Sequence, residues 1–163
     1  MFGSVNVSRQ DVLRPITMEV AVICNLRIFI SHSWQYSGHY ETLKEWIFDN
    51  NWVAGGLNLN FENNSVPKDD PIQNAANQQQ LQHAIDALII RSDVVVIPTG
   101  MYATHSCWIK KELQGAKKYR TPILGVNPWG QQRTSVVVQS KAKKTVGWTK
   151  ESVLKGIVEL GLK

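Results

Sequence analysis

The segment SDVVVIP, residues 92–98, decides the fold. Its four consecutive β-branched residues, Val94 to Ile97, leave no polar position that could face water. A strand that is apolar on both faces belongs to a parallel sheet covered on both sides, and Pro98 stops it because it cannot donate to the ladder. The neighbouring segments agree. On the amino-terminal side, Leu81, Ala84, Ile85, Leu88 and Ile89 recur at helical spacing and mark an amphipathic helix. On the carboxyl side, the loop TGMYATHS (99–106) leads into a helix carrying Trp108 and Glu112, and TPILGV (121–126) follows as a second buried strand.

The same alternation extends to both ends. LRIFIS (26–31) is a buried strand, SHSWQYSGH (31–39) a loop, and Tyr40, Leu43, Trp46 and Ile47 place a helix over 40–50. Gly55-Gly56 breaks the chain, and LNLNF (57–61) alternates like a strand. The polar stretch ENNSVPKDDPIQNAANQQQ (62–80) reads as a long loop, a class that is often functional. NPWGQQRTSVVVQSKAK (127–143) is irregular or a short helix, and KTVGW (144–148) is a short last strand. Thr149 caps a final helix with Val153, Ile157 and Leu160 on its apolar face. Residues 1–25 read as a leader, disordered or packed only in context, and 26–163 as one domain.

Alternating buried strands and amphipathic helices predict an α/β, flavodoxin-like three-layer fold. Its sheet has five parallel strands in the order 2-1-3-4-5. In such sheets ligands bind beyond the carboxyl ends of the strands, where the strand order reverses. SHSWQY, GMYATHSCW and the long polar loop would surround that crevice.

Composition narrows the chemistry. The net charge is +5, which favours anionic partners but fits a solvated basic face as well. Lys110, Lys111, Lys117 and Lys118 form one cluster, and Lys141, Lys143 and Lys144 another. Neither has the interleaved aromatics of a single-strand platform, so nucleic acid is not the expected partner. Two distant cysteines suit a reducing compartment. With no apolar signal core and no run near membrane-spanning length, a cytoplasmic protein without a membrane partner is expected.

Several site classes fail on motif. There is no G-x-G-x-x-G, no phosphate loop and no G-x-S-x-G elbow. A receiver domain would need carboxylates where Ser31-His32 and Ile97-Pro98 stand, and SHSWQYSG is a weak candidate for a flavin-phosphate turn. The four histidines, His32, His39, His83 and His105, show no metal-ligand spacing, so neither a metal nor a cofactor is expected. Asp69 and Asp70 are too few carboxylates for a metal-dependent nuclease.

Trp108 and Glu112 remain, four apart and therefore on one helix face. A carboxylate beside an aromatic ring suits cleavage of an N-glycosidic bond. The carboxylate faces the oxocarbenium-like sugar and the ring stacks the leaving base. Spacing alone favours the plainer alternative, with Trp108 in the core and Glu112 paired with a lysine.

RIFISHSW (27–34), SVPKDDPI (65–72), SDVVVIPTGMY (92–102), CWIKKE (107–112) and KKYRTPILGVNPWGQ (117–131) together resemble the TIR-like domains of bacterial Thoeris anti-phage systems. Trp108-x-x-x-Glu112 also resembles the W-x-x-x-E pattern of TIR enzymes that cleave NAD. The resemblance implies that NAD is the substrate, that its nicotinamide–ribose bond is broken, and that Glu112 is the catalytic residue. It implies an ADP-ribose-derived, cyclic signal that activates a separate effector, and a phage-derived trigger. It carries Ser31, His32, Ser33 and Trp34 over as substrate-binding positions, with Trp108 as an aromatic wall. It sets the 65–72 loop at the BB loop, which covers the site and mediates self-association into a homo-oligomer. Asp69 and Asp70 would hold ribose hydroxyls there or simply form a solvated turn. Tyr102 would be a second aromatic wall or an ordinary ring. The alternative function is a non-catalytic TIR scaffold associating through its BB loop.

Overall fold

The structure is a computed structural model that describes residues 22–31, 38–49, 51–66, 77–100, 106–127 and 135–162. The element order is β1 (Ile23–Ile30), α1 (His39–Phe48), β2 (Trp52–Ala54), β3 (Leu57–Asn63), α2 (Gln78–Ile89), β4 (Val94–Pro98), α3 (Ser106–Tyr119), β5 (Ile123–Asn127), α4 (Val136–Lys141), β6 (Lys144–Gly147) and α5 (Lys150–Gly161). One sheet contains all six strands in the order β2-β3-β1-β4-β5-β6. Every adjacent pair is parallel except β2 with β3.

Without β2, the order is the flavodoxin-like one expected from the sequence. The expectation of five strands, all parallel, is corrected by β2. Trp52 pairs with Leu59 and Ala54 with Leu57, so only Gly55 and Gly56 connect the two strands. Both glycines have positive φ, at 58° and 79°. A two-residue hairpin turn with two left-handed residues is one that glycine pairs adopt readily, so the pair folds the chain back instead of merely breaking it. β1 also begins earlier than expected, at Ile23. Ile23 to Asn25 pair with Asn58 to Asn60 of a β3 longer than its apolar core suggested.

The valine run of β4 is buried at all five positions. Alternate residues along the strands feed two cores. Ile28, Ile30, Val94, Val96 and Leu124 face α1 and α5, where Leu43, Ile47, Val153 and Ile157 pack, with Trp148 closing one side. Phe29, Val95, Ile97 and Ile123 face the opposite layer, with Ile85 and Ile89 of α2, Ile109, Leu113 and Ala116 of α3, and Val138 of α4. Each layer thus buries one stripe of each helix, the condition for a doubly covered parallel sheet.

The helix starts are capped from the sequence. Thr149 accepts from the Ser152 amide at 3.2 Å, as its position predicts. Asn77 accepts from the Gln79 and Gln80 amides at 3.0 and 2.9 Å. That cap starts α2 at Gln78, so the glutamines at the end of the expected long loop are its first turn.

Candidate functional site

β1 carries its apolar run to Ile30, and the next residue, Ser31, is the first polar one. The Ser31 amide donates to the Val96 carbonyl at 2.9 Å, which ties the end of β1 to β4. β1 and β4 are the strands between which the order reverses, since β3 lies on one side of β1 and β4 on the other. Ser31 therefore stands at the switch point, on the carboxyl edge of the sheet.

Helix α3 brings Glu112 to the same place. Its buried stripe is Ile109, Glu112, Leu113 and Ala116, the 3–4 spacing of a core-facing helix side. Glu112 thus occupies a position where the pattern calls for an aliphatic residue, and it is 0% exposed. A carboxylate removed from water is costly unless it is hydrogen-bonded. The Ser31 hydroxyl, also 0% exposed, donates to Glu112 Oε2 at 2.5 Å. Trp108, one turn earlier, is half-buried against the same core layer.

Ser31 thus partners Glu112, where spacing alone favoured a lysine. Two of the α3 lysines turn instead toward α2. Lys111 Nζ donates to the Gln78 carbonyl at 3.2 Å, and Lys118 Nζ to Asp86 Oδ2 at 3.0 Å. The Tyr119 hydroxyl first, then Asp86, hold the Lys118 ammonium above its ordinary pKa. Of the residues expected from sequence, the structure brings Ser31 and Glu112 into contact and sets Trp108 on the same helix. His32, Ser33, Trp34, Asp69, Asp70 and Tyr102 lie outside the described residues.

Three polar residues escaped the sequence reading. Thr99 follows β4, is 0% exposed, and donates from Oγ1 to Asn127 Oδ1 at 2.6 Å. Asn127 ends β5 and is half-buried. Ser31, Thr99 and Asn127 thus end three adjacent strands on the carboxyl edge, about 10 Å across at ordinary strand spacing. The signal was present: each is the first polar residue, Pro98 aside, after an unbroken apolar run. The third is Asp86, which is 6% exposed and accepts from Gln82, Lys118 and Tyr119 at 2.7, 3.0 and 3.3 Å. It fastens α2 to α3 and so fixes the helix that carries Glu112. Its helix was read only for its apolar stripe, which hid it.

Among the described residues, no three His, Cys, Asp or Glu side chains cluster to hold a metal ion. Cys24 and Cys107 are free thiols.

The profile of the family described as Thoeris protein ThsB, TIR-like domain, matches residues 29–133, more than half of the chain. The chain belongs to the Thoeris TIR-like family. The matched span includes Ser31, Thr99, Glu112 and Asn127, so the whole carboxyl-edge constellation lies within the family region. Membership places the protein in anti-phage defence, a context of partner effector proteins, within a class of domains that often cleave NAD. No curated protein matches the chain. Among the described residues, no helix is long and apolar enough to cross a membrane.

Proposed function

We propose that this Thoeris TIR-like protein cleaves the nicotinamide–ribose bond of NAD, with Glu112 as the catalytic residue. The observation that carries this reading is the buried Ser31–Glu112 hydrogen bond at the β1/β4 switch point. A helix does not gain stability by placing a carboxylate in its core stripe, whereas a glycosidic cleavage site needs a preorganised anion shielded from water.

In the proposed reaction the C1′–N bond breaks and its electron pair leaves with nicotinamide, which departs neutral. The ribose is left as an oxocarbenium-like cation. The Glu112 carboxylate faces that charge, and Ser31 fixes which oxygen is turned to it. Trp108 walls the leaving base. Water then adds and releases a proton to give ADP-ribose, or an adenine nitrogen adds within the same molecule to give a cyclic product. Either product serves as the signal to a separate effector. The crevice has to open to admit NAD, because Glu112 has no exposed surface.

The test is to incubate purified protein with NAD, with and without extract of phage-infected cells, and to separate the products by chromatography and mass. Release of nicotinamide that falls about 10²–10³-fold in Glu112→Gln supports the assignment. Equal turnover by that variant removes it.

The complete burial of Glu112 also favours a second reading, a non-catalytic scaffold in which the Ser31 bond only anchors α3. That reading expects no nicotinamide under either condition, and self-association that Glu112→Gln leaves unaltered.

A further inference from the structure

The two lysine clusters of the sequence converge in the fold. The carboxyl-terminal end of α3, the Lys141–Lys143 link between α4 and β6, and the end of α5 enclose a groove of about 660 Å³. It lies where β5 begins, at the opposite end of that strand from Asn127. Among the described residues four exposed cations line it: Lys117 of one cluster with the nearby Arg120, and Lys141 and Lys143 of the other. Among the described residues, none of the four has a side-chain hydrogen bond or ion pair, in contrast to Lys111 and Lys118 on the same helix. Among the described residues Glu159 is the single carboxylate of the lining, and Lys144 already neutralises it.

Basic residues in the last turn of a helix commonly offset its dipole, and that alone would account for Lys117. It does not account for Lys143, which belongs to no helix, or for the convergence of both clusters. Arg120 adds a second sign. Its φ is +58°, in the left-handed region where glycine usually ends a helix. The backbone there is held by the Arg120 and Thr121 amides, which donate to Lys117 and Ala116 carbonyls at 3.3 and 3.0 Å. Those bonds satisfy two carbonyls of the helix end. Beneath the cations the floor is apolar, formed by Leu113, Ala116 and Ile123.

We infer that this groove binds a phosphate-bearing ligand of nucleotide size, with its phosphates on the four cations and its base on the apolar floor. The volume is that of a small-molecule pocket. Among the described residues no aromatic side chain lines it, so they offer no stacking surface of the kind a nucleic-acid strand uses. The inference stands apart from NAD cleavage, although the occupant would rest on Leu113, next to Glu112.

The test is calorimetric titration of the full chain with ADP and with adenosine, at 50 and 200 mM salt. ADP should bind saturably, at least ten-fold more tightly than adenosine, and more weakly at the higher salt. Lys117→Glu with Lys143→Glu should weaken ADP at least ten-fold. The milder Lys117→Gln with Lys143→Gln should weaken it in the same direction with an unchanged circular dichroism spectrum. Lys44→Glu with Lys110→Glu, an equal charge change elsewhere, should leave it unaltered. Absence of ADP binding, or equal binding by the groove variants, overturns the inference. So does a twelve-nucleotide single strand that displaces ADP and binds more tightly, since the groove would then serve nucleic acid.

Discussion

Ser31 and Glu112 lie 81 positions apart in the chain, and their side chains meet in a 2.5 Å hydrogen bond with neither residue exposed. The pair is a polar insertion into an aliphatic layer, and stability and activity should respond to it in opposite ways. Removing one partner costs the other a buried hydrogen bond: Ser31→Ala should destabilise by about 1–3 kcal/mol. Replacing both, as Ser31→Ala with Glu112→Leu, restores the apolar stripe and should be neutral or stabilising by about 1 kcal/mol. Urea denaturation gives the stabilities and nicotinamide release the activity. A double variant that is both unstable and active would contradict the functional account of this pair.

Thr99 and Asn127 test the breadth of the site. The 2.6 Å separation suits an O–H···O bond from the threonine, which leaves the Asn127 amide turned as a donor group. An amide donor at the end of β5 is suited to a phosphate oxygen or an adenine nitrogen at the far end of NAD. Thr99→Val keeps the shape and removes the hydroxyl, at a cost of about 1 kcal/mol. Its KM for NAD should rise several-fold with kcat little changed, because Glu112 is untouched. Thr99→Ser should restore the wild-type KM. A uniform fall in kcat with KM unaltered would assign Thr99 to packing alone.

The strands and their order were legible because burial on both faces writes an unbroken apolar run, and only parallel strands are buried in that way. Trp52 to Ala54 were missed because three residues give too short a pattern to show alternation, and only the Gly55-Gly56 pair marks the hairpin. Glu112 was singled out by the family motif, because its spacing from Trp108 alone favoured a plain core helix, and its contact with Ser31 was not legible. Ser31 comes from another strand, and a contact that distant leaves no trace in local periodicity. Asp86 was hidden for a related reason: its three partners lie on two helices, and a lone acidic residue on an amphipathic helix looks solvated.

Gly115 should behave against the usual rule for helix glycines. Alanine in a helix interior is ordinarily favoured over glycine by about 1 kcal/mol. Here a Cβ would come within 2.9 Å of Asp86 Oδ1 and 3.0 Å of Ile89 Cδ1, both on α2. Neither can retreat easily, since Asp86 is held by three donors and Ile89 is fully buried. Gly115→Ala should therefore destabilise the fold by about 1–3 kcal/mol, the usual cost of overpacking. Chemical denaturation measures it, and a stabilised variant would mean that α2 and α3 separate more freely than their contacts imply. Because α3 carries Glu112, NAD turnover should fall in the same variant.

His39 gives the protein an acid-sensitive point near neutrality. Its ring stands edge-on to Trp148 at 4.8 Å, beside the core layer of α1 and α5, and burial holds its pKa below the ordinary 6.5. The unfolded chain therefore takes up a proton at a pH where the folded protein does not, and the sign follows. Stability is full above about pH 6.5, falls as the pH drops below that value, and levels off once the folded-state pKa has been passed. Thermal melts between pH 7.5 and 5 should show this decline. Replacing the imidazole by a neutral ring in His39→Phe should flatten the part that begins near pH 6.5 and leave the carboxylate-driven loss at lower pH in place. An unaltered slope in that variant would move the acid sensitivity to another group.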